Sequence, residues 1–284
     1  MNNYVAVDGA RLWFQVAGSG PVLLVSQSGE GDADRTVDLV GYLSDRFTVV
    51  TYDRRGLSRS TADDRTAAVS IRQHAEDAAA VLRQVTDEPA DMLGLSLGAV
   101  IGLHLLSAYP RSLRRLIAHE PIALPFLAPA DADVARAKLA GVRRVHQAEG
   151  WRAAAAEVAA VLGIDPRDQP TEPGITAFPF TEQRAANFEY FLTNDLDAAL
   201  TDTLSLTEVP RDGRIIPAVG ATSPEDGFDY LAALALADHL GAPAERFPGG
   251  HNGNLTHPSA FAAQIRALLS GVPGVAARAA RSAG

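Results

Sequence analysis

The sequence predicts an α/β fold: a mostly parallel, twisted sheet with helices on both faces and a helical cap inserted after the sixth strand. Three observations predict it. Short runs of β-branched and aliphatic residues recur along the chain, each followed by a segment with helical spacing. Most of these runs lack the in–out alternation of a half-exposed strand, so they suit strands covered on both faces. One stretch between two such strands is far longer than a parallel crossover requires. With 284 residues, 47% of them apolar and 21% charged, the chain can bury a large core without disulfide or metal staples.

The first strands are Tyr4-Val5-Ala6-Val7 and Arg11-Leu12-Trp13-Phe14-Gln15-Val16. The Asp8-Gly9 turn between them predicts a β-hairpin. Pro21-Val22-Leu23-Leu24-Val25 and Phe47-Thr48-Val49-Val50-Thr51-Tyr52 are buried-strand runs with a helix expected at about 34–44 between them, which makes a βαβ unit. A helix at 70–86 follows, with Ser70 placed to cap it and Ile71, Ala75, Ala78, Ala79, Leu82 and Val85 at helical spacing. It leads into the strand Ala90-Asp91-Met92-Leu93-Gly94. A helix at 97–108 ends before Tyr109-Pro110 and precedes the strand Leu113-Arg114-Arg115-Leu116-Ile117-Ala118-His119. Two further strands, Ile215-Ile216-Pro217-Ala218-Val219 and Ala244-Glu245-Arg246-Phe247, flank a helix at about 226–240, and a last helix occupies about 259–270.

The long stretch from Pro121 to Arg214 is Ala-rich and amphipathic at 131–162, broken by Pro and Gly at 165–179, and helical again at 181–206. The expected division is a core of 1–122 and 210–273, a helical cap of 123–209, and a flexible tail of 274–284 that lacks apolar periodicity.

Composition removes several function classes. The absence of cysteine excludes a disulfide framework, a thiolate nucleophile, zinc–thiolate sites and iron–sulfur clusters. A net charge of −9 argues against sequence-independent nucleic-acid binding, which depends on clustered Lys and Arg. The first twenty residues lack a basic stretch followed by an apolar one, and no apolar run approaches the ~20 residues of a membrane helix. A soluble, cytoplasmic protein with no nucleic-acid or membrane partner is expected. No G-x-G-x-x-G follows the first strand, and neither a Walker loop nor H-E-x-x-H is present, so no cofactor and no metal are expected.

One motif carries chemistry. Gly94-Leu95-Ser96-Leu97-Gly98 is a G-x-S-x-G sequence between a predicted strand and a predicted helix, the setting in which a serine stands on a sharp turn with its hydroxyl exposed. Leu97 opens the helix, so its free N–H and the helix dipole point toward developing negative charge. A serine needs a base, and imidazole is the side chain suited to it. His251 follows the last predicted strand, among glycines, at the sheet end where Ser96 also emerges. His257 is expected at the start of the last helix, His104 on the helix after Ser96, and His74, His146 and His239 on solvated helical faces. Arg54 and Arg55 are expected to be solvated or paired with acidic neighbours.

Together these motifs resemble the α/β-hydrolase family over nearly the whole chain outside the cap. Tyr52-Asp53-Arg54-Arg55-Gly56-Leu57-Ser58-Arg59-Ser60 resembles that family's loop after the fourth strand. Pro248-Gly249-Gly250-His251 with His257-Pro258 resembles its histidine loop. Within the family, His119-Glu120 and Val219-Gly220-Ala221-Thr222-Ser223-Pro224-Glu225 are most similar to zearalenone-hydrolase-like lactonases.

The resemblance implies a Ser96–His251–acid triad. Many members carry the acid as G-x-x-D after the seventh strand, but here that position is Ser223. The lactonases carry it after the sixth strand, which implies Glu120, with Asp226 and Glu225 as alternatives. Glu120 read by itself is equally a structural carboxylate. Oxyanion donors are expected from the amides of Leu97 and, by the same resemblance, Ser28.

Acyl transfer from a hydrophobic ester or lactone to water is then the expected reaction. Gln27, Phe126, Trp151, Phe188 and Phe191 are candidate substrate contacts; Gln27 reads equally as a residue satisfying its own turn, and the aromatic residues equally as the cap's own core. Other readings stay open on one fold: a cofactor-free C–C hydrolase, cyclase or thioesterase, or a ligand receptor without turnover. The sequence also leaves room for a homodimer.

Overall fold

In a computed structural model, residues 2–165 and 168–270 are described; the tail expected at 274–284 lies outside them. The strands are β1 (Asn2–Val7), β2 (Ala10–Ala17), β3 (Val22–Ser26), β4 (Thr48–Tyr52), β5 (Thr61–Ala62), β6 (Ala90–Leu95), β7 (Leu113–His119), β8 (Ile215–Gly220) and β9 (Glu245–Phe247). They form one sheet in the order β1-β2-β4-β3-β6-β7-β8-β9, with the short β5 paired to β2. The opening hairpin is antiparallel, and β2 meets β4 antiparallel. All pairings from β4 across to β9 are parallel. The fold is the expected one, with β5 as an addition too short to read from the chain.

The absence of alternation in the strands has its reason in two packed faces. Leu24, Val50, Met92, Leu116 and Ala118 belong to one buried cluster. Their strand neighbours Leu23, Val25, Val49, Leu93, Leu95 and Ile117 belong to another. The first face is covered by α2 (Ile71–Arg83), α3 (Leu97–Ala108) and α8 (Phe228–Leu240), the second by α1 (Val37–Leu43) and α10 (Pro258–Ser270). Because successive strand residues point to opposite faces, both sets must be apolar. Ser70 caps α2 by accepting from the Gln73 N–H at 3.1 Å. The helix expected from 34 begins as a 3-10 turn, Ala33–Thr36, that passes into α1.

Between β7 and β8 the chain forms α4 (Pro129–Glu149), α5 (Trp151–Val161), α6 (Glu182–Tyr190) and α7 (Leu196–Leu200). A single π-helical turn, Phe191–Asp195, joins α6 to α7 and buries Phe191, Leu192, Asn194 and Asp195. Widening one turn rotates side chains that a regular helix would aim elsewhere. Here it brings Asp195 onto the sheet domain. The short α9 (Gly253–Thr256) precedes α10. Among the described residues no helix is long and apolar enough to cross a membrane.

The topology positions the site. Strands β3, β6, β7, β8 and β9 are consecutive neighbours running the same way. Their C-terminal ends therefore lie side by side, the edge at which parallel α/β sheets gather ligands. Ser96, Glu120 and His251 all follow these ends, although they are far apart in the chain.

Candidate active site

Strand β6 ends at Leu95 and α3 begins at Leu97, so Ser96 alone makes the turn, with φ 56° and ψ −112°. A non-glycine residue there stores about 1–3 kcal/mol of strain. The surrounding structure holds it: the Ser96 N–H donates to His119 O at 2.9 Å. A Cβ at Gly98 would collide with the Ser26 carbonyl, and one at Gly94 would lie 2.6 Å from Ala99 Cα. The glycines flanking the serine are thus needed for close approach of strand, helix and the neighbouring β3.

Glu120 follows β7 and also has a left-handed backbone, φ 44°. Its N–H donates to Ala218 O at 2.9 Å. Its carboxylate is fully buried and fixed at both oxygens. Oε1 accepts the Gly220 N–H at 2.8 Å, and Oε2 accepts from His251 Nδ1 at 2.8 Å. Burial alone would push this carboxyl up, but the His251 hydrogen bond and the charge beside it outweigh burial and hold it well below the ordinary range.

The same Nδ1 lies 2.7 Å from Oδ2 of Asp229, a buried residue in the first turn of α8. Burial pushes the His251 imidazole down, but Asp229 and Glu120 together outweigh it and hold it above its ordinary value. Neither alternative acid takes this place. Glu225 is exposed and pairs with Arg246 at 3.0 Å, and Asp226 is exposed. Next to Glu120, His119 is packed between Phe247 and Phe261, and burial pushes it down to about 4, so it is neutral.

The loop after β3 is held by Arg54. Its guanidinium donates to the carbonyls of Gln27 (3.0 Å), Ser28 (2.6 Å) and Gly29 (2.7 Å). It also donates to Asp195 Oδ2 through Nε at 3.1 Å and Nη2 at 2.8 Å. The other Asp195 oxygen meets His74 Nε2 at 3.1 Å. Burial would raise the Asp195 carboxyl, but Arg54 and His74 outweigh that and hold it down. A π-helical turn of the insertion is thereby tied to the loop that contains Ser28. His74 is buried in this network, not solvated as its polar helical neighbours suggest. Arg54 and Arg55 are paired and buried, Arg55 with Asp77 at 2.7 Å.

Ser96 and His251 line one cavity of about 690 Å³, together with Gln27, Ser28, Trp151, Phe188 and Phe191. Gln27 Nε2 donates to Thr36 Oγ1 at 2.7 Å, so this side chain also satisfies its own loop. Trp151 stacks on Phe188 at 6.2 Å between centroids and meets Phe180 at 5.7 Å. These rings do both of the things expected of them, packing on one another while walling the cavity. Phe191 closes onto the β3 loop, where a Cβ at Gly29 would lie 2.8 Å from its ring. Phe126 departs from expectation. It is buried in the main core cluster and is not among the residues lining the cavity, because the 3-10 turn Leu124–Phe126 tucks its ring inward.

Comparison with known proteins agrees with this architecture. Residues 21–147 match the family described as alpha/beta hydrolase fold. The chain is 32% identical over 275 residues to the uncharacterized hydrolase YraK of Bacillus subtilis, covering 94% of this chain and 96% of that protein. The chain belongs to the α/β-hydrolase family. Another member, the zearalenone hydrolase of Cladophialophora bantiana, is 28% identical over 270 residues, 91% of this chain and 92% of its own. Among solved structures, the enol-lactonase of Burkholderia xenovorans superposes with a TM-score of 0.68 at 20% identity, covering 95% of this chain and all (100%) of that one.

For an α/β hydrolase, the residue that sequence reasoning missed is Asp229. Expecting the helix from about 226 places Asp229 inside it. The structure starts α8 at Phe228, which puts Asp229 in the first turn at the sheet edge. A signal was present in the chain, since Gly227 interrupts the expected helix just before that point.

Proposed function

We propose that this protein is a serine hydrolase that cleaves a hydrophobic carboxylic ester or lactone through an acyl-enzyme. The observation that carries this reading is the fixing of His251 Nδ1 by the Glu120 carboxylate at 2.8 Å, with Ser96 on its strained turn lining the same cavity as His251. With Nδ1 as donor, the free ring nitrogen Nε2 is the basic one. It takes the Ser96 proton as Oγ attacks the carbonyl carbon, and returns it to the leaving alkoxide as the carbon–oxygen bond breaks. Water then attacks the acyl-enzyme in the same way, releasing acid and regenerating the serine.

The negative oxygen of each tetrahedral intermediate requires preorganised donors. Leu97 N–H at the start of α3 is one. The second is the Ser28 amide, on the loop whose carbonyls Arg54 grips. The cavity wall of Trp151, Phe188 and Phe191 suits an apolar aryl or alkyl group, bound largely by loss of contact with water.

A panel of nitrophenyl esters of graded acyl length and aromatic lactones tests the reading. kcat/KM is expected to rise at least tenfold, a gain of about 1.4 kcal/mol, from acetyl to a medium-length or aromatic acyl group, as apolar surface is buried. Absence of turnover across all esters and lactones of the panel would remove the proposal.

A further inference from the structure

We propose that Asp229 is a positioning residue for His251, a second acid that shares the Nδ1 proton with Glu120. The inference rests on the serine-hydrolase reading and deepens it. Two carboxylates approach one ring nitrogen, Glu120 Oε2 at 2.8 Å and Asp229 Oδ2 at 2.7 Å. All three side chains are buried, and their facing atoms lie within 4.8 Å of one another. A neutral imidazole offers one N–H at Nδ1; it is directed at Glu120 Oε2, while Asp229 Oδ2 stands beside the same nitrogen as a second anion, close enough to accept that proton when Glu120 is removed.

The two acids reach it by separate routes. Glu120 follows β7 and is anchored by the Gly220 N–H. Asp229 arrives after β8, in the first turn of α8, where the helix dipole favours a carboxylate. Because they sit on different elements, loss of one leaves the other in place.

The arrangement has a consequence for proton affinity. The charged and titratable groups facing His251 are Glu120 from the end of β7, Asp229 from α8, and His119, which is neutral among Phe247 and Phe261. One imidazolium is therefore flanked by two anions, so the proton on His251 is harder to remove than it would be beside one. Asp229 thus sets how high the pH must rise before Nε2 is free to act as a base.

The test is the pH dependence of kcat/KM for a neutral nitrophenyl ester with wild type, Asp229→Asn, Glu120→Gln and the double variant. The wild-type acid limb is expected above the ordinary imidazole value of about 6.5. In Asp229→Asn one stabilising anion is gone, so the proton leaves more readily and the limb moves down by about one to two pH units. Glu120→Gln alone is expected to cost about 10–100-fold, because Asp229 still accepts from Nδ1, whereas the double variant approaches the ~10⁴-fold loss seen when a triad acid is fully removed. A limb unmoved in Asp229→Asn, with Glu120→Gln already as damaging as the double variant, would make Asp229 a bystander.

If Asp229→Asn fails to fold, Glu120→Gln still decides: a loss of about 10–100-fold with the acid limb still above about 6.5 supports the proposal, and a loss already near ~10⁴-fold overturns it. Titration of the His251 ring by NMR in Ser96→Ala reads the same shift without turnover. Loss of serine dependence, which would sink the hydrolase reading, is therefore distinguishable from a His251 that does not respond to Asp229.

Discussion

Ser96→Ala is expected to lower kcat/KM on the best ester or lactone by at least about 10³-fold while leaving the fold intact. The substitution removes one oxygen, from a side chain that lines the cavity and is only 6% exposed. Alanine meets the same positive φ as serine, so the strained turn is neither relieved nor worsened, and far-UV circular dichroism and thermal midpoint should stay close to wild type. What disappears is the atom that, on the proposed mechanism, forms the covalent bond. The Leu97 and Ser28 amides proposed as oxyanion donors and the aromatic cavity wall are left in place, so KM should change less than kcat. Turnover within tenfold of wild type would mean that water or another side chain attacks the carbonyl.

Asp195→Ala has the largest expected effect on stability. Asp195 is wholly buried and accepts from the equally buried Arg54 at 2.8 Å and from His74 at 3.1 Å. Removing it leaves the Arg54 guanidinium charged, desolvated and short of its anion, a change that costs about 3–5 kcal/mol. For a chain of this size, that lowers the midpoint of thermal unfolding by roughly 10 °C.

A second effect accompanies it, because Arg54 also holds the carbonyls of Gln27, Ser28 and Gly29. Loosening Arg54 should loosen the Ser28 segment proposed to supply an oxyanion donor, so kcat is expected to fall even at temperatures where the variant is fully folded. Asp195→Asn, which keeps the shape and one acceptor oxygen, should lose less of both. A midpoint for Asp195→Ala within about 2 °C of wild type would show that the network is not holding the insertion to the sheet domain.

Legibility in the sequence followed the range of the interactions involved. The strands were readable because residues such as Leu23, Leu24 and Val25 are apolar on both faces, a local signature of a covered parallel sheet. The Ser96 turn was readable because the glycines that permit it lie two residues to either side. Glu120 and His251 needed the topology, since only neighbouring strand ends bring them together, and the family resemblance supplied it.

What escaped reading depends on contacts between distant segments. His74 sits among Arg72, Gln73 and Glu76, so its helix suggests a wet face; Asp195, which buries it, lies on a π-helical turn far along the chain. Phe126 was one apolar residue among many in the insertion, and whether such a ring faces the cavity or the core depends on a turn of three residues. Asp229 escaped because only the packing of α8 beside the end of β8 brings an acid from that helix's first turn to the imidazole.

The central claim, that the Ser96 hydroxyl is the nucleophile activated by His251, is tested most directly by labelling the protein with an aryl phosphonate and locating the adduct by peptide mass spectrometry. The account predicts one phosphonyl group per chain, on the peptide containing Ser96, with activity lost in proportion to labelling and no adduct in Ser96→Ala. Full inactivation with the adduct on another residue, or continued labelling of Ser96→Ala at the wild-type rate, would contradict it.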